Sequence, residues 1–149
     1  MAEYWTSPSP GDIVDCRFPE DKIPGPGPKE RPALVTKVET FVNDAGMTRV
    51  VVDVAYATSQ GTESVYPGEF VIKARHPGSG LIRDTKFDLG NIFRLEFDDE
   101  WFATASPPHP KVPPKRGQLD PDKDQLVKKK ISSALVEARD SGRLKTKKI

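Results

Sequence analysis

Proline is concentrated in two short stretches of the chain, and these stretches limit where regular structure can form. Fifteen of the 149 residues are proline, roughly twice the typical 5%. The stretch 19–31 contains four prolines and two glycines, and 106–116 contains five prolines. Because proline lacks an amide proton and has a fixed φ, neither stretch suits a helix or a central strand. We predict a long loop over 19–31 and an extended spacer over 106–116, with a proline-rich ligand for a partner protein as the alternative for the second.

Five segments rich in β-branched and aromatic residues indicate strands. They span residues 11–18, 32–42, 49–57, 64–73 and 86–97, and the spacing in the last segment suits either a strand or a turn followed by a strand. The turn residues Asn43-Asp44-Ala45-Gly46 separate the second segment from the third, as in a hairpin. Short strands punctuated by Gly and Pro are typical of small closed sheets. The sequence therefore predicts a mainly β (α+β) protein, a small antiparallel β-barrel over about residues 10–105, within a single domain covering 1–149.

The C-terminal part of the chain predicts one amphipathic helix, about residues 120–141. Asp120 can cap it, with Pro121 in the first helical position. Gly142 supplies a stop signal, and residues 145–149 are expected to fray. Apolar side chains recur at helical spacing on the face that should pack against the barrel. These are Leu126, Val127, Ile131, Ala134, Leu135 and Ala138.

Charge and composition narrow the possible classes of function. The net charge is +1, so bulk charge alone does not predict strong binding to nucleic acid. Residues 118–149 carry nine Lys/Arg against five Asp/Glu, a tail that either steers a polyanion or forms a solvated helix face. The single cysteine, Cys16, excludes an internal disulfide framework and is expected to be a small buried hydrophobe. The sequence has no run of about 18 apolar residues and no signal-peptide pattern, which predicts a cytoplasmic protein without a membrane span.

Motifs of the common enzyme classes are absent from the sequence. It contains no P-loop, no Gly-x-Gly-x-x-Gly and no Gly-x-Ser-x-Gly. The two histidines, His76 and His109, each precede a proline, and neither has a metal-ligand spacing. We therefore expect neither a metal nor a cofactor.

Three short motifs, in a fixed order, carry the functional information that remains. Gly11-Asp12-Ile13-Val14 opens the first strand, Arg31-Pro32-Ala33-Leu34-Val35 follows the proline–glycine loop, and Ala57-Thr58-Ser59-Gln60 ends the third strand. Together they resemble the toxins of the MazF/PemK family, which are sequence-specific endoribonucleases of bacterial toxin–antitoxin systems. The segment Gly117-Gln118-Leu119-Asp120-Pro121, followed by apolar residues at helical spacing, is similar to the start of the family's C-terminal helix.

The resemblance implies a fold, a chemistry and a set of site residues. The fold is an SH3-like barrel with a packed C-terminal helix, and the toxin is a homodimer that a cognate antitoxin protein inhibits. The chemistry is metal-independent cleavage of single-stranded RNA, in which the 2′-hydroxyl attacks the adjacent phosphorus and leaves a 2′,3′-cyclic phosphate and a 5′-hydroxyl. Arg31 and Thr58 match the family's catalytic pair, and no residue is assigned as the general base. Further residues are expected to contact the RNA: Lys29, Tyr56, Ser59 and Gln60.

The two matched side chains suit these roles, and each has a plainer alternative. A guanidinium is charged near neutral pH and binds phosphate oxygens, so Arg31 can stabilise negative charge that develops during the reaction. The Thr58 hydroxyl can donate to a phosphate oxygen. The alternatives are an ion pair between Arg31 and Glu30 and an ordinary strand-end turn at Thr58. The competing function is a non-catalytic barrel that binds a host or partner protein.

Overall fold

The computed structural model describes residues 5–20, 23–103, 114–143 and 146–148. Within these ranges the regular structure comprises nine strands and one helix. The strands are β1 (Asp12–Cys16), β2 (Pro19–Glu20), β3 (Ile23–Pro26), β4 (Arg31–Val42), β5 (Thr48–Thr58), β6 (Glu69–Ile72), β7 (Thr85–Glu96), β8 (Lys115–Gln118) and β9 (Thr146–Lys148), and the helix is α1 (Gln125–Asp140).

Seven of the strands form one sheet in the order β6-β7-β5-β4-β1-β8, with β9 added beside β7. Neighbours along this order are antiparallel, whereas β9 runs parallel to β7. The long strands β4, β5 and β7 form the centre of the sheet, where valine and other β-branched residues suit a pleated surface packed by its neighbours. The prediction of a mainly β protein with a C-terminal helix is confirmed.

The sheet is open, so the prediction of a closed barrel is wrong. Within the described ranges, β6 and β8 are the two ends of the sheet and do not pair with each other. The loop Gly78–Gly80 lies against β8, where the Gln118 N–H donates to the Gly78 carbonyl at 2.8 Å. A Cβ added to Gly80 would come within 2.1 Å of the Arg116 carbonyl oxygen. A loop therefore occupies the edge that a closing strand would need.

All five predicted strands are present, and three segments predicted to be irregular contain short strands. The proline–glycine loop forms the hairpin β2–β3, in which Pro19 is opposite Pro26. Proline is tolerated there because both strands of this two-stranded sheet are edge strands. Strand β8 begins at Lys115, inside the predicted spacer 106–116, and β9 lies in the segment predicted to fray. Residues 106–113 of the spacer lie outside the described residues.

Both faces of the sheet carry apolar side chains, so successive residues of β4 and β5 belong to different cores. On one face Val35 is opposite Val54, and on the other Leu34 is opposite Ala55. Cys16 is fully buried in the first core, as predicted for a small hydrophobe. Burial raises the pKa of its thiol well above the usual 9.0.

Helix α1 begins later than predicted, because Asp124 rather than Asp120 is its N-cap. The Asp124 backbone is extended, and its Oδ1 accepts the Val127 N–H at 3.2 Å. Residues 121–123 form a separate turn before it. The helix ends at Asp140, with Ser141 as its C-cap. The next residue is the predicted stop signal Gly142, which has φ 75°, a conformation that favours glycine.

The buried face of α1 is narrower than the predicted apolar face. Val127, Ala134 and Ala138 are buried, and Ile131 is partly buried against the second core. Leu126 and Leu135 were predicted to pack but are 53% and 44% exposed. In the described part of the chain, α1 is neither long enough nor apolar enough to span a bilayer.

Candidate functional site

A pocket of about 260 Å³ lies at one end of the sheet, and we call it the arginine pocket. It is formed by the start of β4, the end of β5, the loop before β7 and strand β8. Its charged and hydroxyl-bearing lining residues are Glu30, Arg31, Thr58, Ser59, Arg83, Thr85 and Arg116. The structure thus brings Arg31, Thr58 and Ser59 to one surface, while their roles in catalysis and RNA binding stay predictions.

Strand pairing explains why Arg31 and Thr58 meet. Leu34 of β4 is opposite Ala55 of β5. Arg31 lies three residues before Leu34 and Thr58 three residues after Ala55, so both lie at the same end of the hairpin. Because side chains alternate between the two faces along a strand, Arg31 and Thr58 also share a face of the sheet. The hairpin therefore brings both residues to the lining of the arginine pocket.

The Arg31 guanidinium makes no hydrogen bond or ion pair with any described residue. Its Cζ lies 5.9 Å from the centre of the Tyr56 ring, which is a cation–π distance. The Glu30 carboxylate pairs instead with Arg17, Oε1 to Nη2 at 3.6 Å. Arg17 Nη1 also donates to the Asp99 carbonyl at 3.0 Å. The alternative ion pair between Arg31 and Glu30 is therefore not observed, and no described residue occupies the Arg31 N–H groups.

The Thr58 hydroxyl takes part in an ordinary strand-end turn and still has a proton to donate. Its Oγ1 accepts the Gln60 N–H at 3.1 Å, which is the strand-end turn expected of a plain structural threonine. That bond uses a lone pair of the hydroxyl and leaves its proton to donate. The same side chain can therefore both shape the turn and donate to a ligand oxygen in the pocket.

Three residues predicted to contact RNA lie outside the pocket lining. Lys29 and Gln60 are exposed beside it in sequence. The half-buried Tyr56 packs its ring edge-on against Phe18, with the ring centres 5.0 Å apart. Of the predicted contacts, only Ser59 lines the pocket together with Arg31 and Thr58.

Two arginines of the pocket were not predicted from the sequence. Arg116 reaches it from β8, where its Nη2 and Nε lie 2.9 Å and 3.1 Å from Asp15 Oδ1. Arg83 reaches it from the loop before β7, and its guanidinium has no partner among the described residues. Arg116 directly precedes Gly117 of the resemblance, so its position was a weak signal. No local pattern marks Arg83.

The carboxylate that holds Arg116 has an unusual environment. Burial raises the pKa of Asp15 above its ordinary 3.8, and the nearby charge of Glu30 raises it further, while Arg116 acts in the opposite direction. The side chain of Asp15 is only 14% exposed. The mostly buried Asp15 carboxylate therefore holds the Arg116 guanidinium at the edge of the pocket.

The described residues form no cluster of three or more His, Cys, Asp or Glu side chains suited to a metal ion. His76 lies away from the arginine pocket, with Nε2 2.6 Å from Asp124 Oδ2. This hydrogen bond is the largest cause of the lowered pKa of Asp124. His76 thus supports the cap of α1. His109 lies outside the described residues.

Comparison with known proteins does not assign the chain to a family. No protein-family model matches it, and no curated protein is significantly similar to it. The functional interpretation therefore depends on the geometry of the arginine pocket and on the three sequence motifs.

Proposed function

We propose that this protein is a metal-independent endoribonuclease of the MazF/PemK type that cleaves single-stranded RNA. The observation that carries the proposal is the convergence of Arg31 and Thr58 on one pocket that also contains Arg83 and Arg116. Three guanidiniums against the single carboxylate of Glu30 in this lining give an excess of positive charge. A guanidinium binds a phosphate through a planar fork of donors, so the pocket suits a phosphodiester.

The proposed reaction exchanges one phosphorus–oxygen bond for another. The 2′-oxygen of the RNA bonds to the adjacent phosphorus, and the bond from phosphorus to the 5′-oxygen breaks. We assign Glu30 to accept the 2′-hydroxyl proton, because it is the carboxylate in the pocket lining, and the departing 5′-oxygen takes a proton from water. Arg31 stabilises the charge on the phosphorane oxygens, and the Thr58 hydroxyl donates to one of them.

The wider biology implied by the resemblance belongs to the same proposal. The protein would act in the cytoplasm as a homodimer, inhibit growth by cleaving RNA, and be silenced by a cognate antitoxin.

Incubation of the purified protein with a mixed RNA pool in EDTA tests this function. We expect cleavage at a short recurring sequence, and a rate lower by about 10²–10³ in Arg31→Ala, because a positioned donor to developing charge is lost. Arg49→Ala is the matched control. Arg49 lies near the other end of β5, where it pairs with Glu96 at 3.6 Å, so this variant should cleave like the wild type.

Two results would overturn the proposal. The first is intact RNA after incubation with folded wild-type protein. The second is equal cleavage by wild type and Arg31→Ala, which would place the activity elsewhere or in a contaminant.

A partner-binding module is the second candidate, and exposed apolar side chains favour it. Val65 and Leu126 are 55% and 53% exposed, and both line an open groove of about 410 Å³ between β6 and α1. Induced expression in cells separates the two functions. Growth arrest that persists in Arg31→Ala, with cellular RNA intact, would support partner binding, whereas arrest that Arg31→Ala abolishes at equal protein level supports the nuclease.

A further inference from the structure

Lys86 carries an ammonium group that is almost completely enclosed by protein. It is the cross-strand partner of Thr58, in the register of β5 against β7, and its side chain is 10% exposed. Its Nζ donates to the carbonyls of Gly61 and Ser64 at 3.0 Å and 2.9 Å, and lies 3.5 Å from Glu69 Oε1. A buried lysine with three oxygen partners is fully satisfied as a cation.

The carbonyls that Lys86 binds belong to the segment that follows Thr58, which we call the 59–68 loop. The chain reverses near Gly61, whose φ is 64°, and the Ser64 N–H donates back to the Gly61 carbonyl at 3.2 Å. At the far end, Glu69 Oε1 accepts the Tyr66 N–H at 2.7 Å. The loop is therefore folded around one positive charge.

The near end of this loop forms part of the arginine pocket. Ser59 lines the pocket, and the Gln60 N–H donates to Thr58 Oγ1. The direction of the Thr58 hydroxyl thus depends on where the backbone at Gln60 lies, one residue before the carbonyl that Lys86 holds at Gly61. Without the ammonium, two loop carbonyls would lose their donor and Glu69 its counter-charge.

We propose that Lys86 is a positioning residue for the site: its ammonium sets the 59–68 loop so that Thr58 and Ser59 face the bound phosphodiester. This inference rests on the proposed nuclease function and adds a residue that does not itself line the pocket. A misplaced hydroxyl reduces the stabilisation of the transition state more than it reduces the ground-state binding of a long RNA, because many other contacts hold the RNA. Loss of Lys86 should therefore lower kcat and leave KM nearly unchanged.

The test compares Lys86→Met with Lys73→Met in two measurements. Lys73 is the matched control, because its side chain is 80% exposed and pairs with Asp84 only at the surface. Hydrogen exchange reports the loop directly, and we expect the amides of Gln60, Ser64 and Tyr66 to exchange about tenfold faster in Lys86→Met. Steady-state cleavage of an RNA oligonucleotide should show kcat lower by about tenfold, with KM within about twofold of wild type. Lys73→Met should match the wild type in both.

Glu69→Gln keeps the test decisive if Lys86→Met does not fold. This variant retains the lysine and an acceptor for the Tyr66 N–H but removes the counter-charge. We therefore expect faster exchange of the loop amides and a lower kcat, both by less than in Lys86→Met. If the wild type is active and a folded variant shows unchanged loop exchange and unchanged kcat, the proposed role of Lys86 is overturned and the nuclease function is not. An inactive wild type would overturn the nuclease function, and loop exchange in Lys86→Met would then decide whether Lys86 orders the loop.

Discussion

The three arginines of the arginine pocket differ in their contacts, because Arg116 has an ion pair, whereas Arg31 and Arg83 have no ion pair with the described residues. Asp15 holds the Arg116 guanidinium at 2.9 Å, so this cation is in place before any anion arrives. Arg31 and Arg83 must be ordered by the ligand, which costs side-chain entropy. A pocket built in this way combines a fixed anchor with two adaptable donors.

The first prediction at this scale concerns Asp15 and pH. Because burial raises the pKa of Asp15 in the folded state, the folded protein binds this proton more tightly than the unfolded chain does. Stability contributed by the protonated form is therefore lost as pH rises above the ordinary value of 3.8. Urea unfolding should show that wild type loses stability relative to Asp15→Asn as the pH rises above about 4.

Asp84 is the control of opposite sign. The Ala74 N–H, which donates to its Oδ1 at 2.8 Å, is the main cause of its lowered pKa. The stability from this ionised carboxylate is present above its unfolded pKa and is lost as pH falls through the folded one. Wild type should therefore gain stability relative to Asp84→Asn as pH rises. The same direction of change in both variants would contradict the environment assigned to Asp15.

At the scale of elements, the start of α1 gives a direct comparison of two aspartates. Asp124 accepts the Val127 N–H and binds His76, so Asp124→Ala should lower the free energy of unfolding by about 1–2 kcal/mol. Asp120→Ala should cost less, since its carboxylate accepts only an N–H in the preceding turn. Asp122→Ala is the control for the loss of a nearby negative charge. If thermal or urea unfolding shows that Asp120→Ala is the most destabilising variant, Asp120 is the N-cap, as predicted from the sequence, and the assignment to Asp124 is wrong.

The contact of β8 with the loop before β7 gives a second prediction for an element. A Cβ on Gly117 would lie 2.2 Å from the Ser79 carbonyl oxygen, so Gly117→Ala must displace β8 or the loop. We expect a cost of about 1–3 kcal/mol and weaker nuclease activity, because Arg116 moves with the strand. Gly46→Ala, in the β4–β5 turn with open space around it, should affect stability but leave activity unchanged. Wild-type stability in Gly117→Ala would contradict this packing.

These elements also show which parts of the fold were predictable. The central strands β4 and β5 were predicted because β-branched residues recur along them, and β7 was predicted because it contains Phe87, Phe93 and other apolar residues. The hairpin β2–β3 was missed because its prolines argue against strands, except at an edge. The start of α1 was misplaced because two aspartates have suitable sequence positions, and only the tertiary contact with His76 distinguishes them.

At the scale of the whole molecule, the sheet assembles the site from distant parts of the chain. Arg31 and Thr58 could be predicted together because each lies in a motif at a strand end. Arg83 and Arg116 could not, because their approach depends on how the loop before β7 packs against β8. The open sheet was likewise unpredictable, since only long-range packing decides whether the edge of β8 receives a strand or a loop.

The end groups of cleaved RNA show whether the pocket holds a phosphodiester while the neighbouring 2′-hydroxyl attacks it. The measurement uses an RNA oligonucleotide and its analogue with a single 2′-deoxy nucleotide at the cleavage site, each incubated in EDTA. We expect a 2′,3′-cyclic phosphate and a 5′-hydroxyl from the RNA, with the analogue bound but uncut. Fragments that carry a 5′-phosphate, or cleavage of the analogue, would contradict it.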